Sequence, residues 1–377
     1  MSQPSKRRRV ALIALHYAEY SGNLALALAV KCDVLLILYR GDAENELGTG
    51  WREYLTRPTI TLVVLDRPKS AASVLSNVRS LVRAVKQYRP DVVHCQEEFR
   101  DELVFALFFL RRFPNVLTVH DPRPHSGNDA RRFRFSRFRI YRPLMRGTAD
   151  AVITHGQWLA DELTKVTPRF AGRISLLPHG PLGPRDDSAT AKRPSANRLL
   201  FFGRIHEYKG LRYFVEAIIA LRDEGYLVIG VVAGRGGDLD RWRSRMEEAG
   251  CFEILDGYVP SAAVPALFTN ARAVVLPYID GTQSGVAAMA LGFARPVIAT
   301  RVGSIPELVR DGQNGLLIAP ANVPELVSAI KKVISDDQLW DKLADGACTL
   351  RDGELSWRSI GNQTLDVYET LLRQNSP

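Results

Sequence analysis

Short β-branched and apolar runs alternate with stretches of helical period along the whole chain. In the first half VALIAL (10–15), DVLLILY (33–39), TLVVLD (61–66), RPDVVHCQ (89–96), VLTVHD (116–121) and ADAVITH (149–155) read as strands. AASVLSNVRSLVRAVKQY (71–88) between them has the spacing of a helix. The second half repeats the alternation. LLFFG (199–203), YLVIGVVAG (226–234), AVVLPY (273–278) and RPVIAT (295–300) read as strands. YFVEAIIALRDEG, LDRWRSRMEEAG and VPELVSAIKKVIS read as helices. Apolar strands separated by helices predict a parallel sheet covered on both faces.

Between the halves, GPLGPRDDSATAKRPSANR (180–198) is rich in Pro, Gly, Ser and charge and offers little to bury. A last helical segment, about 356–373, spaces Trp357, Ile360, Leu365, Tyr368 and Leu372 along one face. The predicted fold class is α/β, with two Rossmann-like, doubly wound domains at 1–185 and 199–355. A closing helix at 356–377 is free to cross back to the first domain. Each parallel sheet places a ligand crevice at the carboxyl ends of its strands, and two such domains face to face leave a cleft between them.

A length of 377 residues fits two domains of ordinary size. With 46% hydrophobic and 24% charged residues the chain is globular. Its apolar runs fall far short of the roughly 20 residues that span a bilayer. KRRR before VALIALHYAEY imitates a signal peptide, but the apolar part is short and Glu19 interrupts it. The segment reads as a first strand behind a basic leader. Four widely separated cysteines have neither metal-ligand nor redox spacing, so they read as reduced thiols of a cytoplasmic protein. The net charge of +9 points to phosphate-rich ligands, acidic lipid or nucleic acid without choosing among them.

Candidate chemistry concentrates in the second half. Arg204 directly follows an apolar strand, and Lys209 lies five residues on, with Gly203 and Gly210 flanking the turn. Cations at a strand end and a helix start suit an anion, the alternative being two solvated surface charges. The loop DGTQSGV begins at Asp280. Gly281 and Gly285 allow close backbone approach, and Thr282, Gln283 and Ser284 offer hydroxyl and amide donors. The helix that follows points its N–H groups the same way, the alternative being an ordinary capped turn. From Gly281 to Arg301 there is no carboxylate. The DLD at 238–240 reads as a helix start, and no metal or other cofactor is expected. His120 and Asp121 end the strand VLTVHDP, whereas His16, His94, His155 and His179 read as structural.

The segments GRIHEYKGLRYFVEAI (203–218), VVAGRGGDL (231–239) and YIDGTQSGVAAMALGFARPVIAT (278–300), with GSIPELVRDGQNGLLIAPANVPELVSAI (303–330), resemble the retaining glycosyltransferases of the GT-B fold, family 4-like. RPDVVH, TVHDP, ADAVITHG and LLPHGP match more loosely. The resemblance implies a nucleotide-diphosphate sugar as donor and transfer of a hexose to a hydroxyl of a glycan or lipid-linked acceptor, in polysaccharide biosynthesis. It implies that Arg204 and Lys209 neutralise the leaving diphosphate. It puts His120 near the donor sugar and Gly22-Asn23 in a loop approaching donor or acceptor. The family's two glutamates, eight positions apart, fall here at Gly281 and Met289, so Asp280 stands in for the first and nothing for the second.

RRFRFSRFRIYRPLMR (131–146) carries seven arginines interleaved with aromatics and no acid. For an enzyme with a lipid-linked acceptor it reads as an anionic-membrane surface, so the protein is expected in the cytoplasm or on the membrane's inner face; no nucleic-acid partner is expected. Two alternatives stay open: a non-catalytic nucleotide-sugar-binding protein, motivated by the missing glutamates, and a basic membrane- or RNA-binding protein on the same fold.

Overall fold

The structure is a computed structural model that describes residues 7–97, 100–123, 138–183 and 192–374. The chain divides into two compact units. The first comprises described residues up to 178 and resumes at Trp357, and the second covers described residues of 179–356.

The first unit is built on seven parallel strands in the order β3-β2-β1-β4-β5-β6-β7. These are β1 (Arg8–Ala14), β2 (Cys32–Tyr39), β3 (Ile60–Leu65), β4 (Val92–Gln96), β5 (Asn115–Val119), β6 (Ala151–Thr154) and β7 (Ile174–Leu176). Side chains from both faces of β1 and β2 are buried, as a doubly covered parallel sheet requires. One face packs Ile13, Leu35, Ile37 and Leu117 against Leu81, Val85, Leu103 and Leu107 from the helices Ala71–Tyr88 and Asp101–Leu110.

The closing helix, Trp357–Gln374, belongs to this unit and packs on the helix Ala18–Ala29. Gly361 makes the contact close, since a Cβ there would lie 2.8 Å from the Ala27 Cβ. Lys31 Nζ donates to Asn362 Oδ1 at 2.9 Å. A buried polar bolt completes the joint: His94 Nδ1 lies 2.6 Å from the Tyr368 hydroxyl, and His94 Nε2 lies 2.7 Å from Thr118 Oγ1. Burial pushes the His94 pKa down to about 3, so the ring is neutral.

The second unit has six parallel strands in the order β10-β9-β8-β11-β12-β13. They are β8 (Arg198–Phe202), β9 (Ile229–Gly234), β10 (Phe252–Asp256), β11 (Ala273–Leu276), β12 (Val297–Thr300) and β13 (Gly315–Ile318). Phe201, Phe214, Ile218, Val275, Ile330 and Trp340 fill one face, and Leu200, Phe268, Val274, Ala290 and Phe293 fill the other. From β8 the chain goes outward to β9 and β10, then returns past β8 to β11. The order therefore reverses between β8 and β11, where doubly wound sheets open a crevice. The first sheet reverses in the same way between β1 and β4.

No helix among the described residues is long and apolar enough to cross a membrane.

Candidate functional site

In the second unit the turns leaving β8, β9 and β11 are bolted together beyond the sheet. Gly203 N–H donates to Ala233 O at 2.9 Å, and Ile205 N–H to Arg235 O at 2.8 Å. Gly234 has φ 146°, and a Cβ there would overlap the Gly203 carbonyl, so only glycine lets these two turns touch. Gly210, at φ 72°, likewise lies against the Pro277 carbonyl, and Ile279 N–H donates to Tyr208 O at 2.8 Å. The single turn Glu207–Lys209 is thereby fixed to the exit of β11.

That clamp aims Lys209 inward. The side chain is buried, yet among the described residues no carboxylate lies within ion-pair distance of it. Its Nζ stands 5.2 Å from the centroid of the Tyr278 ring, a cation–π contact. A Cβ on Gly203 would lie 3.6 Å from Lys209 Nζ and 3.5 Å from Val286 Cγ2. The ammonium, the turn after β8 and the first turn of the helix Gly285–Gly292 therefore converge on one place. A buried, unpaired ammonium is costly unless an anion neutralises it. Arg204 is exposed, and it too has no carboxylate partner among the described residues.

The 280–285 loop is shaped by its own polar groups. Asp280 Oδ1 accepts from Gly281 N–H at 2.9 Å. The Thr282 carbonyl accepts from Ser304 N–H at 2.9 Å and Ser304 Oγ at 2.7 Å. Ser284 is the N-cap, its Oγ accepting from Ala287 N–H at 3.2 Å. Gly285 and Val286 open the helix, and their N–H groups have no acceptor within it. Gln283 is half-buried between the cap and Thr282. Met289 sits in the second turn of the same helix, partly buried against the apolar face. The nearest acid after the loop is Glu307, on the helix Ile305–Leu308.

The DLD at 238–240 opens the helix Gly237–Ala249, with both aspartates in its first turn. Burial raises the Asp238 pKa, with Arg241 opposing the shift.

In the first unit the corresponding ends of β1, β4, β5 and β6 carry aromatic and imidazole groups. His120 is buried, with Nε2 2.8 Å from Gln96 Oε1. Tyr17 stacks on it at 4.1 Å between ring centroids, and Tyr20 and His155 lie at 5.3 and 4.9 Å. Tyr17 has φ 56°, a left-handed conformation uncommon for a tyrosine. Tyr17 and Gln96 escape a reading of the sequence, because only the fold brings them to His120.

Gly22 and Asn23 do not form a loop. Both lie inside the helix Ala18–Ala29, and the connection from β1 is the short Leu15–Tyr17 stretch. Gly22 is packed against Leu55 and Leu47, and Asn23 Oδ1 accepts from the Tyr54 hydroxyl at 2.5 Å. Residues 131–137 of the basic segment lie outside the described residues. Arg146 is not on a surface: its guanidinium is buried and donates to both Glu97 oxygens, at 2.6 and 3.0 Å. Arg142 is half-buried, and burial lowers its pKa to about 10.

Within the first unit, one group of described residues has the make-up of a cation site. His16, Asp42 and Glu46 hold three ligand atoms within 4.8 Å of one another. Asp42 already pairs with Arg67, and Glu46 Oε2 accepts from Glu19 N–H at 3.0 Å. Both carboxylates are therefore committed within the protein.

Comparison with known proteins bears on the fold and the family. A family model described as "Glycosyltransferase Family 4" matches residues 18–180, and one described as "Glycosyl transferases group 1" matches 196–336. The glycogen synthase of Mycobacterium tuberculosis is 26% identical over 292 residues, covering 75% of this chain and 69% of that protein. A D-inositol 3-phosphate glycosyltransferase of a Nocardioides species is 28% identical over 246 residues, 58% of this chain and 53% of its own length. Among solved structures, sucrose-phosphate synthase from Thermosynechococcus elongatus superposes with a TM-score of 0.70 at 18% identity, covering 98% of this chain and all of that one. Anabaena HepE in complex with UDP and glucose gives 0.67 at 16% identity over 97% of this chain and 100% of its own. Two parallel α/β units of seven and six strands, a family model on each, and full-length structural likeness lead to one conclusion: the chain is a glycosyltransferase of the GT-B fold and belongs to the family 4-like group.

Proposed function

We propose that this glycosyltransferase is of the retaining type and moves a hexose from a nucleotide-diphosphate sugar to a hydroxyl of a glycan or lipid-linked acceptor. The observation that carries the donor assignment is Lys209, a buried ammonium without a carboxylate partner among the described residues, beside Gly203 and the first turn of the helix Gly285–Gly292. A diphosphate supplies the anion this arrangement needs. As the bond from the anomeric carbon to the diphosphate oxygen breaks, negative charge grows on that oxygen. Lys209, Arg204 and the helix N–H groups are preorganised to stabilise it. The acceptor oxygen forms the new bond on the same face, and its proton passes to the departing phosphate oxygen. Charge neutralisation by two cations makes a divalent metal unnecessary in this scheme. Asp280 and His120 orient the donor sugar, Gly281 to Ser284 line its phosphate side, and the first unit serves the acceptor. Four cysteines without disulfides suit a reducing, cytoplasmic setting.

The test is thermal shift against UDP-, GDP-, ADP- and TDP-sugars, since a ligand bound only by the folded chain raises its melting temperature. One donor should raise it, and the double variant Arg204→Ala/Lys209→Ala should abolish the rise while melting normally by itself. An undiminished shift in that variant would remove the phosphate assignment. The absence of carboxylates from Gly281 to Arg301 favours a second reading, a nucleotide-sugar binder without turnover. Donor hydrolysis or transfer under saturating donor separates the two.

A further inference from the structure

The first unit carries a surface built of residues other than those placed in the transfer reaction. The helix Asp101–Leu110 exposes Phe105, Phe108 and Phe109, with Phe108 59% accessible. The helix Phe138–Thr148 beside it exposes Ile140, 63% accessible, and Leu144. Phe105 and Tyr141 make an edge contact at 6.3 Å across the two helices. On the other side Phe109 shares an open groove of about 990 Å³ with Leu75, Val78 and Val82 of the helix Ala71–Tyr88. Isolated exposed apolar residues are ordinary, but a continuous patch of three phenylalanines with isoleucine and leucine marks an interaction surface.

Among the described residues, the charged side chains that line the groove and flank the phenylalanines at their C-terminal end are cations. Arg79, Arg83 and Lys86 line the groove side, Arg111 and Arg112 follow the phenylalanines, and Arg139 precedes Ile140. All six are exposed, and none has a carboxylate partner among the described residues. The helices Ala71–Tyr88 and Phe138–Thr148 contain no Asp or Glu at all. The two acids of Asp101–Leu110 stand at its opposite end from Phe108 and Phe109, with Glu102 buried and Asp101 half-buried. Arg111 stacks its guanidinium 4.7 Å from the Phe108 ring centroid, joining charge to apolar surface.

We propose that this face docks on an anionic lipid bilayer, with the phenylalanines, Ile140 and Leu144 entering the headgroup–acyl boundary and the cations reading the lipid phosphates. Apolar tips flanked by these cations match such a surface on both counts. A protein partner would match the apolar patch but would have to present acids to the cations. A nucleic acid would match the charge but not the aliphatic tips. The surface is distinct from the donor site, so it stands or falls independently of the transfer reaction.

The experiment is co-sedimentation of the full chain with vesicles of phosphatidylcholine alone and of phosphatidylcholine mixed with phosphatidylglycerol. The chain should partition onto the mixed vesicles, not the neutral ones, and raised salt should weaken the partition. Phe108→Ser/Phe109→Ser should reduce it about tenfold or more. Arg79→Gln/Arg83→Gln/Lys86→Gln should reduce both the partition and its salt dependence. All these positions are exposed, and unchanged melting of each variant, together with an unchanged donor thermal shift, excludes general damage. Equal binding to neutral vesicles, no binding, or binding that survives both variants overturns the proposal. Light scattering that shows a dimer dissolved by Phe108→Ser/Phe109→Ser would assign the face to a second copy instead, and displacement from the vesicles by single-stranded RNA would assign it to nucleic acid.

Discussion

The two units share a topology and differ in what stands at its reversal point. In the second, the turns after β8, β9 and β11 are narrow, with Gly203, Gly210, Gly234 and Gly236 bringing backbone against backbone. The space left is walled by a buried ammonium and a helix start. In the first, the ends of β1, β4, β5 and β6 carry Tyr17, Gln96, His120 and His155, large and mostly buried side chains, with Tyr17 and His155 in ring contact with His120 and Gln96 hydrogen-bonded to it. Parallel winding decides where a crevice opens, and side-chain volume and charge decide what it accepts. The glycine-lined end suits a polyanion that must approach main chain. The aromatic end suits a flat, polar, uncharged surface such as a sugar ring.

The largest effect should come from removing the cations. Arg204→Ala/Lys209→Ala should lower kcat/KM by about a thousandfold or more, some 4 kcal/mol of transition-state stabilisation. Lys209→Ala should cost more than Arg204→Ala, because Lys209 is buried and its field is less screened. Steady-state kinetics of the two single variants check the order, and a larger loss for Arg204→Ala would contradict it.

The glycine contacts come next. Gly234→Ala places a methyl group into the Gly203 carbonyl at a φ of 146°. It should cost about 2–4 kcal/mol of stability and open the turn that faces Lys209. Gly237→Ala, three residues on, meets nothing within 4 Å and serves as the control. Denaturant unfolding of the pair checks this; similar midpoints would show that close approach of the two turns is not needed.

Each unit holds a histidine whose pKa burial depresses, His94 in the first and His179, lowered to about 4, in the second, and the deeper shift is that of His94. Buried, neutral His94 has its pKa depressed to about 3, below the ordinary value near 6.5. Between those values the unfolded chain binds the proton more readily, so stability rises with pH there. The contribution is whole above about 6.5 and is lost as pH falls toward 3, at about 1.4 kcal/mol per pH unit. His94→Gln should remove that slope from the pH dependence of unfolding. An unchanged slope would mean that protonation elsewhere dominates.

Much of this was legible in the chain. The helix at 71–88 coincides with its sequence boundaries because Ser70 caps it and the apolar period is clean. The central strands declare themselves as unbroken apolar runs. Three strands escape notice: β7, β10 and β13. All three lie at sheet edges, are short, and are half-buried or exposed at several positions, so they lack such a run. The carboxylate-free loop and the cation pair can be read from residue order. The meeting of Lys209, Gly203 and Val286 cannot, because those residues join only when three separate turns are clamped. Gly22 and Asn23 mislead for the opposite reason: glycine suggests a loop, yet here it makes room for Leu55 within a helix.

The smallest effect separates the two uses of one residue. Ser284 caps the helix Gly285–Gly292, and its Oγ also lies 3.4 Å from the Tyr278 hydroxyl. Ser284→Ala should lose about 1 kcal/mol of stability, the ordinary worth of a cap. Ser284→Asp should keep most of that stability, since aspartate caps as well as serine and favours the positive end of the helix. If the helix start receives a diphosphate, the added carboxylate repels it, and donor binding should weaken about tenfold or more in Ser284→Asp. Ser284→Ala should bind donor nearly as the native chain does. Melting curves with and without donor read both quantities from one sample. Equal donor affinity in the two variants would leave Ser284 a cap alone and move the diphosphate away from this helix.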